Sequence, residues 1–135
     1  IANPSIRQFV DCADGEASSG VRVRVITYNV LADAYLVLPG RQQRYCNDLT
    51  GVAPEHVTWE SRLPRILKEL ESYKADIICM QEVERDAFSR DFVPALARLG
   101  YLGAGYADRD SDKAVAAMPP GNRSNGVAMF CRPAV

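Results

Sequence analysis

The first patterned segment, Val21-Arg22-Val23-Arg24-Val25-Ile26-Thr27-Tyr28-Asn29-Val30-Leu31, alternates apolar and polar residues and then becomes continuously apolar apart from Asn29. It predicts a strand entering the core from a solvated edge. Further on, Trp59, Leu63, Ile66, Leu67 and Leu70 recur at helical spacing, with Glu60, Arg62, Arg65, Lys68, Glu69 and Glu71 between them. This is the pattern of an amphipathic helix of about four turns. Thr58 can cap it, Glu60 suits the positive end of its dipole, and Pro64 lies early enough to do limited harm. The third segment, Ala75-Asp76-Ile77-Ile78-Cys79-Met80-Gln81-Glu82-Val83, is a nearly unbroken apolar run and predicts a short strand buried on both faces. Strand, helix, strand is a βαβ crossover, so the fold class is α/β.

The remaining pattern adds two strands and a helix. Phe88, Phe92, Leu96 and Leu99 share a helical period that ends at Gly100, and Pro94 would break a single long helix. A turn through Asp86–Arg90 and then a helix from about 91 to 99 are predicted, with the two phenylalanines as core and not a stacking platform for bases. Residues 101–106 and 125–131 read as strands, while 36–57 and 107–123 read as loops. Residues 1–20 form a polar lead-in, and 21–135 form the domain proper.

Within the third segment Glu82 is out of place. An unpaired carboxylate is costly to bury, so at the end of a buried strand it is paired, protonated or holding a cation. Strand position alone favours a carboxylate in solvent or paired with an arginine. If the two strands are parallel neighbours, however, their carboxyl ends share the sheet edge where ligands bind in open α/β folds. Asn29 and Glu82 then converge. Glu supplies an anionic oxygen to Mg²⁺, and Asn either adds an oxygen ligand or donates its NH₂ to a phosphoryl oxygen.

Three segments carry a family resemblance: Thr27-Tyr28-Asn29-Val30-Leu31-Ala32-Asp33, Trp59-x-x-Arg62-x-x-x-Ile66-x-x-Glu69-Leu70, and Ala75 to Val83. They resemble the opening motifs of the endonuclease/exonuclease/phosphatase superfamily. Within it they are similar to the branch of carbon catabolite repression-type deadenylases, nocturnin and 2′,5′-phosphodiesterase. Ala32-Asp33-Ala34-Tyr35, Tyr45-Cys46, Glu82-Val83-x-Arg85-x-x-Phe88 and Val93-Pro94-Ala95-Leu96 lean toward the last. The resemblance implies a four-layer α/β/β/α sandwich of the deoxyribonuclease I kind, of which this chain supplies the first half. It implies Mg²⁺, with Mn²⁺ as a substitute, held by Glu82 and contacted by Asn29. Water would attack phosphorus in line, and the cation would neutralise charge on the phosphoryl oxygens. The expected substrates are poly(A) 3′ ends or 2′,5′-oligoadenylate. Alternatives are a catalytically silent scaffold, or a phosphodiesterase for inositol phosphates or DNA. The family's later catalytic groups, including a histidine, fall beyond Val135, so the isolated piece is expected to be inactive and to need the second half of the domain or self-association through its sheet face. The pair Asn125-Gly126 departs from the acidic residue and glycine usual in relatives, which bears on substrate positioning.

Composition narrows this only slightly. The net charge of −1 over 135 residues offers no broad field for nucleic acid, which suits a hydrolase cleft better than a sequence-reading module. The lone histidine, His56, has no neighbouring ligand and reads as a loop residue. Cys12, Cys46, Cys79 and Cys131 are too irregularly spaced for zinc and suit a reducing compartment, with Cys79 and Cys131 read as core-strand residues. No run reaches membrane-span length. An intracellular, cytoplasmic protein is expected, with a mitochondrial address as the alternative. Arg41, Arg44 and Tyr45 stand in a loop that could reach substrate.

Overall fold

The structure is a computed structural model that describes residues 20–37, 51–109 and 124–133. Residues 1–19, with Arg41, Arg44, Tyr45, Cys12, Cys46 and most of the two expected loops, lie outside the described residues. The elements in chain order begin with strand β1 (Val25–Asn29), a short helix α1 (Ala34–Val37), a 3-10 turn (Pro54–His56) and helix α2 (Trp59–Tyr73). Strand β2 (Ile77–Glu84) runs directly into α3 (Arg85–Ala87), a π-helical turn (Phe88–Phe92) and α4 (Val93–Arg98), followed by β3 (Gly103–Asp108) and β4 (Asn125–Cys131).

The sheet order is β1-β2-β4-β3. β1 and β2 are parallel and the other pairs antiparallel. The α2 crossover therefore brings the carboxyl ends of β1 and β2 to one edge, as expected. Thr58 caps α2 by accepting the Ser61 N–H at 3.3 Å, and Lys74 closes the helix in the left-handed region at φ 49°.

Helices cover one face of the sheet. Ile26, Ile78, Met80 and Phe130 of the sheet pack with Ile66 and Leu70 of α2 and with Phe92 and Leu96 in the core. The expectation that β2 is buried on both faces is overturned. In register across the opposite face stand Val25, Ile77 and Cys131, then Thr27, Cys79 and Met129. Val25, Val127 and Met129 are more than half exposed there. A continuous Ile/Val/Met run cannot reveal which face a second layer covers, because both faces are apolar. Cys79 and Cys131 are half-buried free thiols on this face, not core residues.

Three other expectations shift. β3 spans Gly103–Asp108 and not 101–106. The segment after β2 is helical from Arg85 onward, where a turn followed by a later helix was predicted. Pro94 lacks an amide hydrogen and its ring crowds the carbonyl four residues back, and the chain adjusts by widening into the π turn, with the Val93 N–H reaching the Phe88 carbonyl. β1 is shorter than predicted at its start. The Arg24 N–H turns to Asp76 Oδ2 at 2.7 Å, and Val21, at 94% exposure, pairs with no strand among the described residues.

Phe88 stacks on Tyr106 and Phe130 at 5.0 and 5.6 Å, and Phe92 is fully buried, so both serve the core. β4 matches its predicted limits. Gly126 is required there, since an added Cβ would lie 2.1 Å from the Ala107 carbonyl oxygen of β3. Gly126→Ala should lower the urea midpoint by an amount corresponding to about 1–3 kcal/mol, the usual cost of overpacking against a backbone that cannot yield.

Candidate active site at the carboxyl edge of the sheet

Alternation along β2 would carry Glu82 to the helix-covered face, in phase with Ile78 and Met80. A bulge prevents it. Gln81 pairs with Val127 and Val83 with Gly126, leaving Glu82 as the extra residue. Glu82 takes φ 57°, a left-handed conformation in which a side chain crowds its own backbone. The consequence is twofold: Val83 drops into the core, fully buried, and the Glu82 carboxylate turns to the edge where β1 ends.

There it meets Asn29. The Asn29 Nδ2 donates to Glu82 Oε1 at 2.8 Å, while Asn29 Oδ1 accepts the Leu31 N–H at 2.8 Å. The other carboxylate oxygen, Oε2, accepts the Ala32 N–H at 3.2 Å. The two residues singled out from the sequence are thus in direct contact, 53 positions apart in the chain. Glu82 is bonded to an amide side chain and a backbone N–H, not to an arginine. Leu31, opposite, is also left-handed at φ 56°. Strained non-glycine residues on both sides of one contact are typical of functional sites.

Three groups to which the sequence assigned no role make polar contacts around this arrangement. Glu84, buried two residues beyond Glu82, accepts the Ala34 N–H at 2.6 Å, at the start of α1. The guanidinium of Arg62, from α2, donates to the carbonyls of Val57, Val30 and Leu31 at 2.8–2.9 Å and to Asp33 Oδ1 at 3.2 Å. It also lies 5.2 Å from the Trp59 ring centre. Third, Asp91 accepts the Trp59 indole N–H at 2.8 Å and both Arg90 donors at 2.8–3.0 Å. Arg90 holds the Asp91 carboxyl below the usual carboxylate range, and the indole bond adds to the effect. A second acidic residue in an otherwise apolar strand was the available signal for Glu84. Arg62 stands in the Trp59-x-x-Arg62 motif, but no local pattern gave it this role, since its acceptors at Val30, Leu31 and Asp33 lie about 30 residues upstream.

The resulting cleft is lined by five carboxylates, Asp33, Glu60, Glu82, Glu84 and Asp86, and by the Arg90 guanidinium. Such a rim attracts cations and repels bare phosphate. Among the described residues no three acidic, histidine or cysteine side chains converge as a closed metal cage. The donor set fits Mg²⁺ nonetheless, because that ion is usually held by one or two carboxylates and completes its shell with water and phosphate oxygens. His56 is exposed in the 3-10 turn and does not line the cleft. Asn125 is buried and donates to the Tyr35 hydroxyl at 3.0 Å, so the residue that departs from the family pattern fastens α1. Nearby, burial pushes the Tyr106 phenol up to about 12, with the Asp108 charge adding to the effect.

A model of the Endonuclease/Exonuclease/phosphatase family matches residues 26–135. The chain belongs to this family. Protein angel homolog 2 of Danio rerio is 40% identical over 77 residues, which are 57% of this chain and 12% of that protein. The 2′,5′-phosphodiesterase 12 of Homo sapiens is 39% identical over 84 residues, 60% of this chain and 13% of that protein. This chain therefore aligns with about an eighth of the length of either relative. The crystal structure of ANGEL2, a 2′,3′-cyclic phosphatase, superposes with a TM-score of 0.62 at 25% identity, over 85% of this chain and 31% of that one. The human nocturnin catalytic domain with bound sulfate gives 0.54 at 28% identity, over 82% and 33%. The fold is accordingly one part of the deoxyribonuclease I-like α/β sandwich.

The left-handed backbone at Glu82 separates stability from chemistry. Glu82→Gly should be more stable than Glu82→Ala by about 1 kcal/mol, because glycine accepts φ 57° without a Cβ penalty, a difference readable by denaturant titration. Asp91 supplies a pH test. Its lowered pKa means that its contribution is present above the usual carboxylate range and is lost as pH falls through that range and below. Asp91→Asn should therefore lower the urea midpoint at neutral pH, and the gap to wild type should close on acidification.

Proposed function

We propose that the full-length protein is a Mg²⁺-dependent phosphodiesterase acting on poly(A) 3′ ends or 2′,5′-linked oligoadenylate. The observation that carries this is the Glu82 carboxylate, displaced to the cleft by the β2 bulge and gripped by Asn29 and the Ala32 N–H. Each Glu82 oxygen retains a lone pair for a cation. The similarity to 2′,5′-phosphodiesterase 12 supports the oligoadenylate substrate. The nucleotide chemistry named for ANGEL2 and the sulfate held by nocturnin support phosphoryl recognition in this fold.

When bound, Mg²⁺ supplies charge neutralisation at the phosphoryl oxygens. Glu82 holds it. Asn29 donates one N–H to Glu82 and accepts the Leu31 N–H, which leaves its second N–H for a phosphoryl oxygen and one carbonyl lone pair for the cation. The acidic rim keeps phosphate away until a cation is in place. The apolar sheet face with Val25, Ile77, Val127 and Met129 is the surface on which the second half of the domain, or a second copy, would pack.

The test is AMP release from 3′,5′- and 2′,5′-oligoadenylate by the full-length protein with Mg²⁺. Glu82→Ala should reduce kcat by at least about 10²-fold, the scale of losing one preorganised electrostatic group. Asn29→Ala should act in the same direction, and the ratio of the two wild-type rates identifies the linkage. No turnover on either substrate from a folded wild type would overturn the substrate assignment.

A further inference from the structure

Arg62 stands outside the cleft lining, yet its side chain makes three polar contacts with the segment that follows β1. Its Nη1 spans the carbonyls of Val30 and Leu31, each at 2.8 Å, its Nη2 reaches Asp33, and its Nε is anchored on Val57 just before α2. Both Arg62 and Asp33 are nearly withdrawn from solvent, with side chains 13% and 12% exposed. A buried guanidinium requires most of its donors to be met, and the turn through residues 30–33 supplies the acceptors. In return the turn is held in a shape it would not adopt alone, since Leu31 sits at φ 56°.

That turn carries the two N–H groups that orient the site. The Leu31 N–H fixes the Asn29 amide, and the Ala32 N–H fixes Glu82 Oε2. We propose that Arg62 is the positioning residue for cation binding: its fork clamps the Val30–Asp33 turn so that the Leu31 and Ala32 amides present Asn29 and Glu82 to the cleft. The proposal deepens the phosphodiesterase reading and rests on it for the identity of the cation. Groups that orient metal ligands from outside typically alter affinity by about 10–100-fold when replaced. Lysine keeps the charge of Arg62 but, as a point donor, cannot span four acceptors.

The experiment compares wild type, Arg62→Lys and Thr58→Ala in the full-length protein, using calorimetric titration with MgCl₂ and hydrogen exchange at residues 31 and 32. Thr58→Ala removes the cap of the same helix without touching the fork and controls for loss of helix stability. Arg62→Lys should weaken Mg²⁺ binding by about tenfold and speed exchange at Leu31 and Ala32, while Thr58→Ala leaves both near wild type. Wild-type Mg²⁺ affinity in Arg62→Lys, or equal losses in both variants, would overturn the proposal. If wild type takes up no Mg²⁺, the metal assignment of Glu82 falls, and the exchange data decide separately whether Arg62 clamps the turn: unchanged exchange in Arg62→Lys overturns that part too.

Discussion

One extra residue in β2 sets the position of everything in the cleft. Without the bulge, strict alternation would send Glu82 into the apolar layer beneath the sheet and Val83 to the opposite face. With it, Val83 fills the core and Glu82 arrives at the edge beside Asn29. The local penalty for a non-glycine residue in the left-handed region is on the order of 1–2 kcal/mol. Full burial of Val83 offsets a comparable amount, and the bonds from Asn29 and Ala32 hold the carboxylate in its new direction. The strain is maintained by packing on one side and hydrogen bonding on the other.

The end of β1 is the mirror of that arrangement. Its turn is strained at Leu31 and secured from three directions: by Arg62 from α2, by Glu82 at Ala32, and by Glu84 at Ala34. Glu82 and Glu84 both accept backbone N–H groups from this one segment, so two carboxylates sit close together in a partly shielded cleft. Their repulsion is tempered by those amides, and the cleft they line carries more carboxylates than cations. A chain of nearly zero net charge thus presents a strongly polarised cleft, because charge is distributed by tertiary placement and not by composition.

The uncovered sheet face gives the site a second context. The strands that deliver Asn29 and Glu82 to the cleft also carry Val25, Ile77 and Cys79 on the face the helices leave open. Alternation makes the two linked: residues of one parity build the core under α2, and residues of the other build the open face. Whatever packs on that face therefore bears on the same two strands that end at the cleft.

The sequence by itself determined the α/β class, the crossover, the capped α2 helix, the limits of β4 and the pairing of Asn29 with Glu82. Those features follow from periodicity and from the parallel geometry of βαβ units, which are local or nearly so. Which face of β2 is covered was not legible, since an unbroken apolar run is compatible with both. The π turn depended on how Pro94 could be accommodated while Phe92 and Leu96 remained in the core. The bulge, the left-handed backbone at Glu82 and Leu31, and the reach of Arg62 to residues about 30 positions away were decided only by the tertiary structure. Each arises from groups distant in the chain competing for the same space and the same hydrogen bonds, and no local pattern records the outcome of that competition.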